Sequence, residues 1–475
     1  MTRPQFIHLI VLVATGLALS PAPSYAQNGQ PYWASTGPVN ANIFFQTLVF
    51  DDGFGDGLYL LALNPGGGGG TYQSIFRWRS GMWEVIANRD ERGLSLYTNL
   101  THMVVLELDG TKALYLVGVD EVRWHDPAVV NGIAGVAFVC WTKRWTGATW
   151  VPGPPGFAVG NPDEPYPRRW PVMSLDLGDG PRVYGMLAET PYSSNFQVAR
   201  WTGGNWEVIG AASGGHSVVT LIPFDDGHGL SLYAFGDFTA MNGISARGFA
   251  RWDGQQWHAP YPGLVTRQSS DFNCVTFDDG SGPALYCANG GGWINGQEPG
   301  FLNKWDGQTW SIIPSIIVPP KTLTTINGIA VFDDGRAPAL YITGGWGNVQ
   351  GVAASGIARF DGTTWEPLGA GIPYPQHGPR PNSLQVMHDP RRGPSLFVGA
   401  TRAGGGIVPK YAQWVGSPNC YADCDLDRVL TVADFVCFIG MFAAQDPYAN
   451  CTVDATIDVA DFVCYQTRFA AGCGP

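Results

Sequence analysis

A chain of 475 residues with 64 glycines, 36 prolines and 13% aromatic residues has the composition of short strands separated by turns. Its net charge of −12 argues against nucleic acid as a partner. No stretch beyond the N-terminus is long and apolar enough to span a bilayer as a helix.

The first 26 residues read as a signal peptide. Thr2-Arg3-Pro4 leads into the apolar run Phe6 to Leu19, and Ser24-Tyr25-Ala26 offers small residues ahead of Gln27. The mature protein is therefore expected to begin near Gln27, to be secreted or held at the cell surface, and to be a soluble monomer.

Residues 27–416 repeat two phrases. The first is Phe-Asp-Asp-Gly followed by Leu-Tyr: Phe50-Asp51-Asp52-Gly53 with Tyr59, Phe224-Asp225-Asp226-Gly227 with Tyr233, Phe277-Asp278-Asp279-Gly280 with Tyr286, and Phe332-Asp333-Asp334-Gly335 with Tyr341. Looser copies lie at Asp109-Gly110, Asp179-Gly180 and Asp389-Pro390. The second phrase is clearest at Gly248-Phe249-Ala250-Arg251-Trp252-Asp253-Gly254-Gln255-Gln256-Trp257, with tryptophan pairs at Trp78/Trp83, Trp145/Trp150, Trp201/Trp206 and Trp305/Trp310, and Phe360/Trp365. A half-copy ends at Trp414.

Asp-Gly between apolar runs favours a two-residue type I′ turn, which predicts Trp252 opposite Gln255 and Ala250 opposite Trp257. Each phrase is a strand, a polar turn and a strand, so one unit holds four strands in about fifty to sixty residues. Seven units predict an all-β, seven-bladed β-propeller. The seventh lacks its last strand, and Tyr32 to Thr36 is expected to supply it and close the ring. Cys274 and Cys287 flank one hairpin symmetrically and suit a cross-strand disulfide, while Cys140 is expected to be a buried thiol. These repeats resemble secreted bacterial proteins of the form FDDG…LY…ARWDG…W and, more distantly, kelch-like propellers. The resemblance implies the fold and leaves the activity open.

Residues 417–475 carry 2 Arg against 8 Asp, so 2 − 8 = −6, half the net charge. Six cysteines lie there: Cys420, Cys424, Cys437, Cys451, Cys464 and Cys473. Their number implies a disulfide framework with fifteen connectivities. Their spacing and hard-oxygen neighbours do not suit zinc. Asp423, Asp425, Asp427, the Val429 carbonyl and Asp434 have the spacing of an EF-hand calcium loop, and a helix is expected over Phe435 to Phe442. A copy 27 residues on would use Asn450, Asp454, Asp458 and Asp461, with Thr452 and the Thr456 carbonyl. Two calcium loops, each followed by one helix, resemble a type I dockerin, although Arg428 and Ala455 replace the usual turn glycine. The resemblance implies calcium as the cofactor, a cohesin-like or envelope protein as partner, and partner choice at Val432-Ala433 and Val459-Ala460. The whole is thus expected to be a propeller followed by a small disulfide-rich, α-helical, dockerin-like domain.

The repeated Asp-Asp-Gly is read as turn chemistry, since it lacks the further carboxylates of a calcium loop. The Arg or Lys before each hairpin tryptophan is read as architectural. No nucleophile motif or paired carboxylates stand out, so no catalytic residue is assigned. Loops on one end of the ring carry Trp124, Tyr166, Trp170, Tyr192, Phe238, Trp293 and Trp346, whose flat faces would suit a glycan or a peptide. The sequence therefore favours an exported, non-catalytic binding protein. A polysaccharide lyase or glycoside hydrolase with a docking tail is the alternative.

Overall fold

A computed structural model describes residues 32–35, 43–53, 55–65, 71–79, 82–87, 99–108, 110–123, 136–153, 172–188, 196–203, 206–214, 217–260, 272–289, 302–313, 326–369, 371–372, 381–389, 393–400, 411–416, 422, 424, 430–443, 449, 451 and 457–471. Seven antiparallel sheets form the blades, at 43–87, 99–152, 173–213, 217–258, 272–313, 326–367 and 381–415. Four strands pair in chain order within each, except that the third sheet gains the hairpin Ala240–Ser245 on its outer edge and the last takes its fourth strand from Tyr32–Ser35. Runs such as Leu232-Tyr233-Ala234-Phe235 are buried at every position. Alternating side chains of such a strand face two different neighbours, so both must be apolar.

The N-terminal strand Tyr32–Ser35 closes the ring, and Thr36 lies outside the described residues. The strand pairs with Tyr411–Val415 and sets Trp33 opposite Trp414. The half-copy therefore recovers its missing aromatic partner from the other end of the chain, in the same register as Trp305 opposite Trp310.

The expected two-residue turn is corrected. Trp252 lies directly opposite Trp257, and Arg251 opposite His258. Four residues close the loop, with Asp253 N donating to Gln256 O at 3.2 Å. Asp253 Oδ1 accepts from the backbone N–H of Gln255 and of Gln256, both at 2.8 Å. That acceptor makes the longer loop self-supporting, and Gly254 supplies φ +100°. The two rings meet across the strands with centroids 5.5 Å apart.

Among the described residues, seven apolar clusters bridge consecutive blades, one at each seam. Phe224, Phe235 and Phe249 of the fourth blade pack on Leu285 and Trp305 of the fifth. Leu58 and Trp78 of the first pack on Met387 and Phe397 of the seventh. Each such side chain contributes roughly 1.5–3 kcal/mol on burial. Glycines of the second phrase let one blade's hairpin rest on the Asp-Asp turn of the blade before. A Cβ on Gly362 would lie 2.8 Å from Asp279 Cβ, and one on Gly307 3.0 Å from Asp226 O.

Blades four and six carry an extra hairpin between their second and third strands, at Ala240–Ser245 and at Asn348–Ala353. The tail contributes helix α1 (Val432–Ala443) and helix α2 (Val459–Ala471). Helix α1 starts three residues before the expected Phe435, because Thr431 caps it. Ala433 N donates to Thr431 Oγ1 at 3.1 Å, and Thr431 N to Asp434 Oδ2 at 2.8 Å. Cys140 lies in strand Val136–Trp145, but its side chain is outside those described.

Candidate functional surfaces

The two aspartates of the first phrase do different work. Asp225 Oδ1 accepts from Gly227 N at 2.9 Å and Gly229 N at 3.0 Å, which holds the turn. Asp51, Asp176 and Asp278 repeat this pair of bonds. The second aspartate points inward. Asp226 Oδ2 accepts from the Tyr233 hydroxyl at 2.7 Å and lies 3.5 Å from Arg251 Nε. Asp279 takes the Tyr286 hydroxyl at 2.6 Å and Lys304 Nζ at 2.5 Å. Asp52 takes Tyr59 at 2.7 Å and pairs with Arg77 and Arg79. It also accepts from Trp145 Nε1 of the next blade at 3.4 Å.

Burial alone would push the Asp226 carboxyl up, but the Tyr233 hydroxyl and the Arg251 charge hold it below the usual carboxylate range. Burial and the neighbouring carboxylate push the Tyr233 hydroxyl far above its ordinary value. The repeated Arg or Lys is thus an internal partner of a buried carboxylate. Its position beside Tyr follows from register, since Tyr233 lies opposite Arg251 and Tyr286 opposite Lys304.

Three blades depart from this arrangement. In the sixth, Asp334 is held by Arg336 at 2.5 Å, Arg359 Nε lies 4.0 Å away, and the buried Tyr341 hydroxyl makes no hydrogen bond. The seventh replaces the set together, with Pro390, Phe397 and Gln413 where Asp226, Tyr233 and Arg251 stand in the fourth. Gln413 Nε2 then donates to Asp389 Oδ2 at 2.7 Å and Ser395 Oγ at 2.9 Å. The third has Leu177 in place of the second aspartate. There the buried Tyr184 hydroxyl and Trp252 Nε1 both lack a partner, and Asp179 meets Arg182 and Arg200 at the surface at 3.4 and 3.6 Å.

Of the loop aromatics, Phe238 and Trp346 are both only 3% exposed. Phe238 packs with Met241 and Ala246, and Trp346 with Val349 and Ala354. The extra hairpins fold over these rings, so the reading of both as exposed platforms is corrected. Trp124, Tyr166, Trp170, Tyr192 and Trp293 lie outside the described residues. The sequence reading missed the groove between the outer edges of blades three and four. The signal it passed over was the spacing that brings Gln255 and Gln256 beside Trp257.

Three disulfides are present among the described residues. Cys274 and Cys287 are directly opposite and bonded. Cys424–Cys437 and Cys451–Cys464 each span 13 residues and tie the start of a loop to the helix that follows. Cys420 and Cys473 lie outside the described residues, as do Asp423, Asp425, Asp427, Val429, Asn450 and Asp454. Asp434 and Asp461 are fully buried at equivalent places in the two helices. Asp458 caps α2, accepting from Ala460 N at 2.8 Å, while Asp461 Oδ2 accepts from Asp458 N at 2.9 Å. Between the helices the rings of Phe438 and Tyr465 stack 3.7 Å apart. The outer faces are apolar and exposed: Val432 is 75% exposed, Val436 63%, Val459 72% and Val463 53%. No described helix is long and apolar enough to cross a membrane.

No family model and no curated protein matches the chain. Among solved structures it is similar to the extracellular domain of a proposed hybrid two-component system from B. thetaiotaomicron, at 11% identity and TM-score 0.41, over 81% of this chain and 39% of that one. The chain thus spans well under half the length of that protein. It is also similar to the Drosophila Semaphorin 1a extracellular domains 1-2, at 11% identity and TM-score 0.39, over 88% of this chain and 92% of that one. A third is Trypanosoma rangeli sialidase, at 8% identity and TM-score 0.29, over 91% and 62% of the two chains. Likenesses this distant carry no argument about activity.

Proposed function

We propose that this chain is an exported, non-catalytic interaction protein. Its propeller binds a ligand, and its tail is a calcium-dependent, dockerin-like module that docks on a cohesin-like or envelope protein. The carrying observation is the duplicated apolar stripe of the tail. Val432 and Val436 on α1 match Val459 and Val463 on α2, each more than half exposed. Four exposed valines on two short helices are a cost in water unless a partner covers them. The disulfides fit an exported protein.

Calcium fits the donor set. Asp423, Asp425, Asp427, the Val429 carbonyl and Asp434 would hold one ion, and Asn450, Asp454, Asp458 and Asp461 a second. The Asp434 carboxylate accepts from Thr431 N at 2.8 Å, a neighbour in the same proposed loop. A bound ion would fix the loop, and with it the face that starts at Val432. Against an enzyme stands the use of three of the repeated carboxylates, Asp52, Asp226 and Asp279, each tied to a Tyr and a base within its own blade.

The test is calorimetric titration of the chain 27–475 with calcium, beside Asp427→Ala. A purified type I cohesin is then offered to the chain and to Val436→Glu/Val463→Glu. Calcium uptake lost in Asp427→Ala, and capture lost in the valine variant, are expected. No calcium heat, or capture that ignores the valines, would overturn the proposal.

A further inference from the structure

We infer that the propeller carries a binding site for a neutral saccharide on its rim, in the groove between blades three and four. This deepens the reading of the propeller as the ligand-binding half of the protein and rests on it. The groove has a volume of about 390 Å³, within the range of roughly 300–1,000 Å³ usual for small-molecule sites.

Its walls are held from both blades. Asn242, at φ +48°, sits at the tip of the extra hairpin and acts as a strand edge toward the third blade. Its backbone N–H donates to Ala211 O at 2.8 Å, its Oδ1 accepts from Ala211 N at 2.8 Å, and its Nδ2 donates to Ile209 O at 3.1 Å. Trp257 Nε1 donates to the same Ile209 carbonyl at 2.7 Å. Hairpin, outer strand and indole are therefore fixed before any ligand arrives, which lowers the ordering cost of binding.

The lining chemistry selects the ligand class. Gln255 and Gln256 are exposed, and their turn is held by backbone bonds to Asp253 rather than by their amides. A primary amide both donates and accepts, which matches neighbouring hydroxyls on a sugar ring. Val208 and Ile244, 48% and 41% exposed, offer a dry surface to the C–H face of such a ring. Among the described residues, the only ionised lining group is Glu207, whose charge is met by Arg200 at 2.8 Å. No lysine or arginine lines the groove among the described residues, so a carboxylated or sulfated glycan would meet a carboxylate there and no unpaired cation.

Saturation-transfer NMR of cellohexaose, xylohexaose and mannohexaose with the chain 27–475 tests this, with trigalacturonate as the charged control. At least one neutral oligomer should bind. Gln255→Ala/Gln256→Ala should weaken it at least tenfold, about 1.4 kcal/mol, and Ile244→Arg should abolish it with the melting temperature kept. Val436→Glu in the tail should leave it unchanged, which separates this site from the docking reading. Binding of none of the three neutral oligomers, equal binding of trigalacturonate, or binding indifferent to both groove variants would each overturn the inference.

Discussion

Asp226→Leu puts into the fourth blade the residue that the third blade carries at Leu177. Asp226 is 7% exposed and Arg251 13%, and Tyr233 is fully buried. Removing the carboxylate orphans the Tyr233 hydroxyl, at about 1–3 kcal/mol. It also strips a buried cation of its partner, at about 3–5 kcal/mol for a fully buried pair. The second figure is reduced, because Arg251 Nε keeps Ser231 Oγ at 3.0 Å. The expected loss is about 4 kcal/mol. The seventh blade shows how to recover it, since Ser231 and Asp225 stand where Ser395 and Asp389 support Gln413. Asp226→Leu/Tyr233→Phe/Arg251→Gln should therefore lie within about 1–2 kcal/mol of the parent, far from the sum of its parts. Denaturant unfolding of the chain 27–475, followed by near-ultraviolet circular dichroism, reads the coupling. If the single change costs under about 1 kcal/mol, or the triple costs as much as its parts added, the three residues are not a unit and the reasoning fails.

Acid should probe the same carboxylate. Its folded pKa is lowered, so its stabilisation is present above the unfolded value of about 3.9 and is lost as pH falls through the folded value. The gap between parent and Asp226→Leu should narrow below about pH 4, by unfolding midpoints. Leu177→Asp should give the Tyr184 hydroxyl and Trp252 Nε1 an acceptor. It is expected to gain about 1 kcal/mol after the lost leucine packing, and a loss larger than that would refute it. Gly362→Ala should cost about 3 kcal/mol, because φ is +106° and the new Cβ meets Asp279. Gly280→Ala, with positive φ and open space, should cost about 1–2 kcal/mol by the same assay. Thr431→Ala and Asp458→Ala should each lower helix stability by about 1 kcal/mol in far-ultraviolet melts.

Some features were local enough to be read from the chain alone. Strand, turn and strand recur at fixed spacing, so the blade count, the closing strand at Trp33 and the Cys274–Cys287 bond followed from periodicity. Turn chemistry is local too, and the first aspartate of the phrase accepts from the backbone of its own turn. Hairpin register was not legible. Asp-Gly suits a two-residue turn, but the side chain of Asp253 stabilises a four-residue loop, and only the cross-strand partner reveals which one forms. Phe238 and Trp346 were misplaced because exposure is decided by what covers a ring. Each extra hairpin folds back over its own aromatic.

The sequence by itself determined the ring, because a blade's pattern must repeat for each sheet to find an apolar neighbour. Tertiary structure alone decided what the repeated charges do. Asp226, Tyr233 and Arg251 lie on separate strands, and their meeting depends on register rather than on spacing. It also decided that blades three and four leave a groove between them, since its walls come from residues some fifty positions apart and are brought together where the fourth blade's extra hairpin pairs with the outer strand of the third.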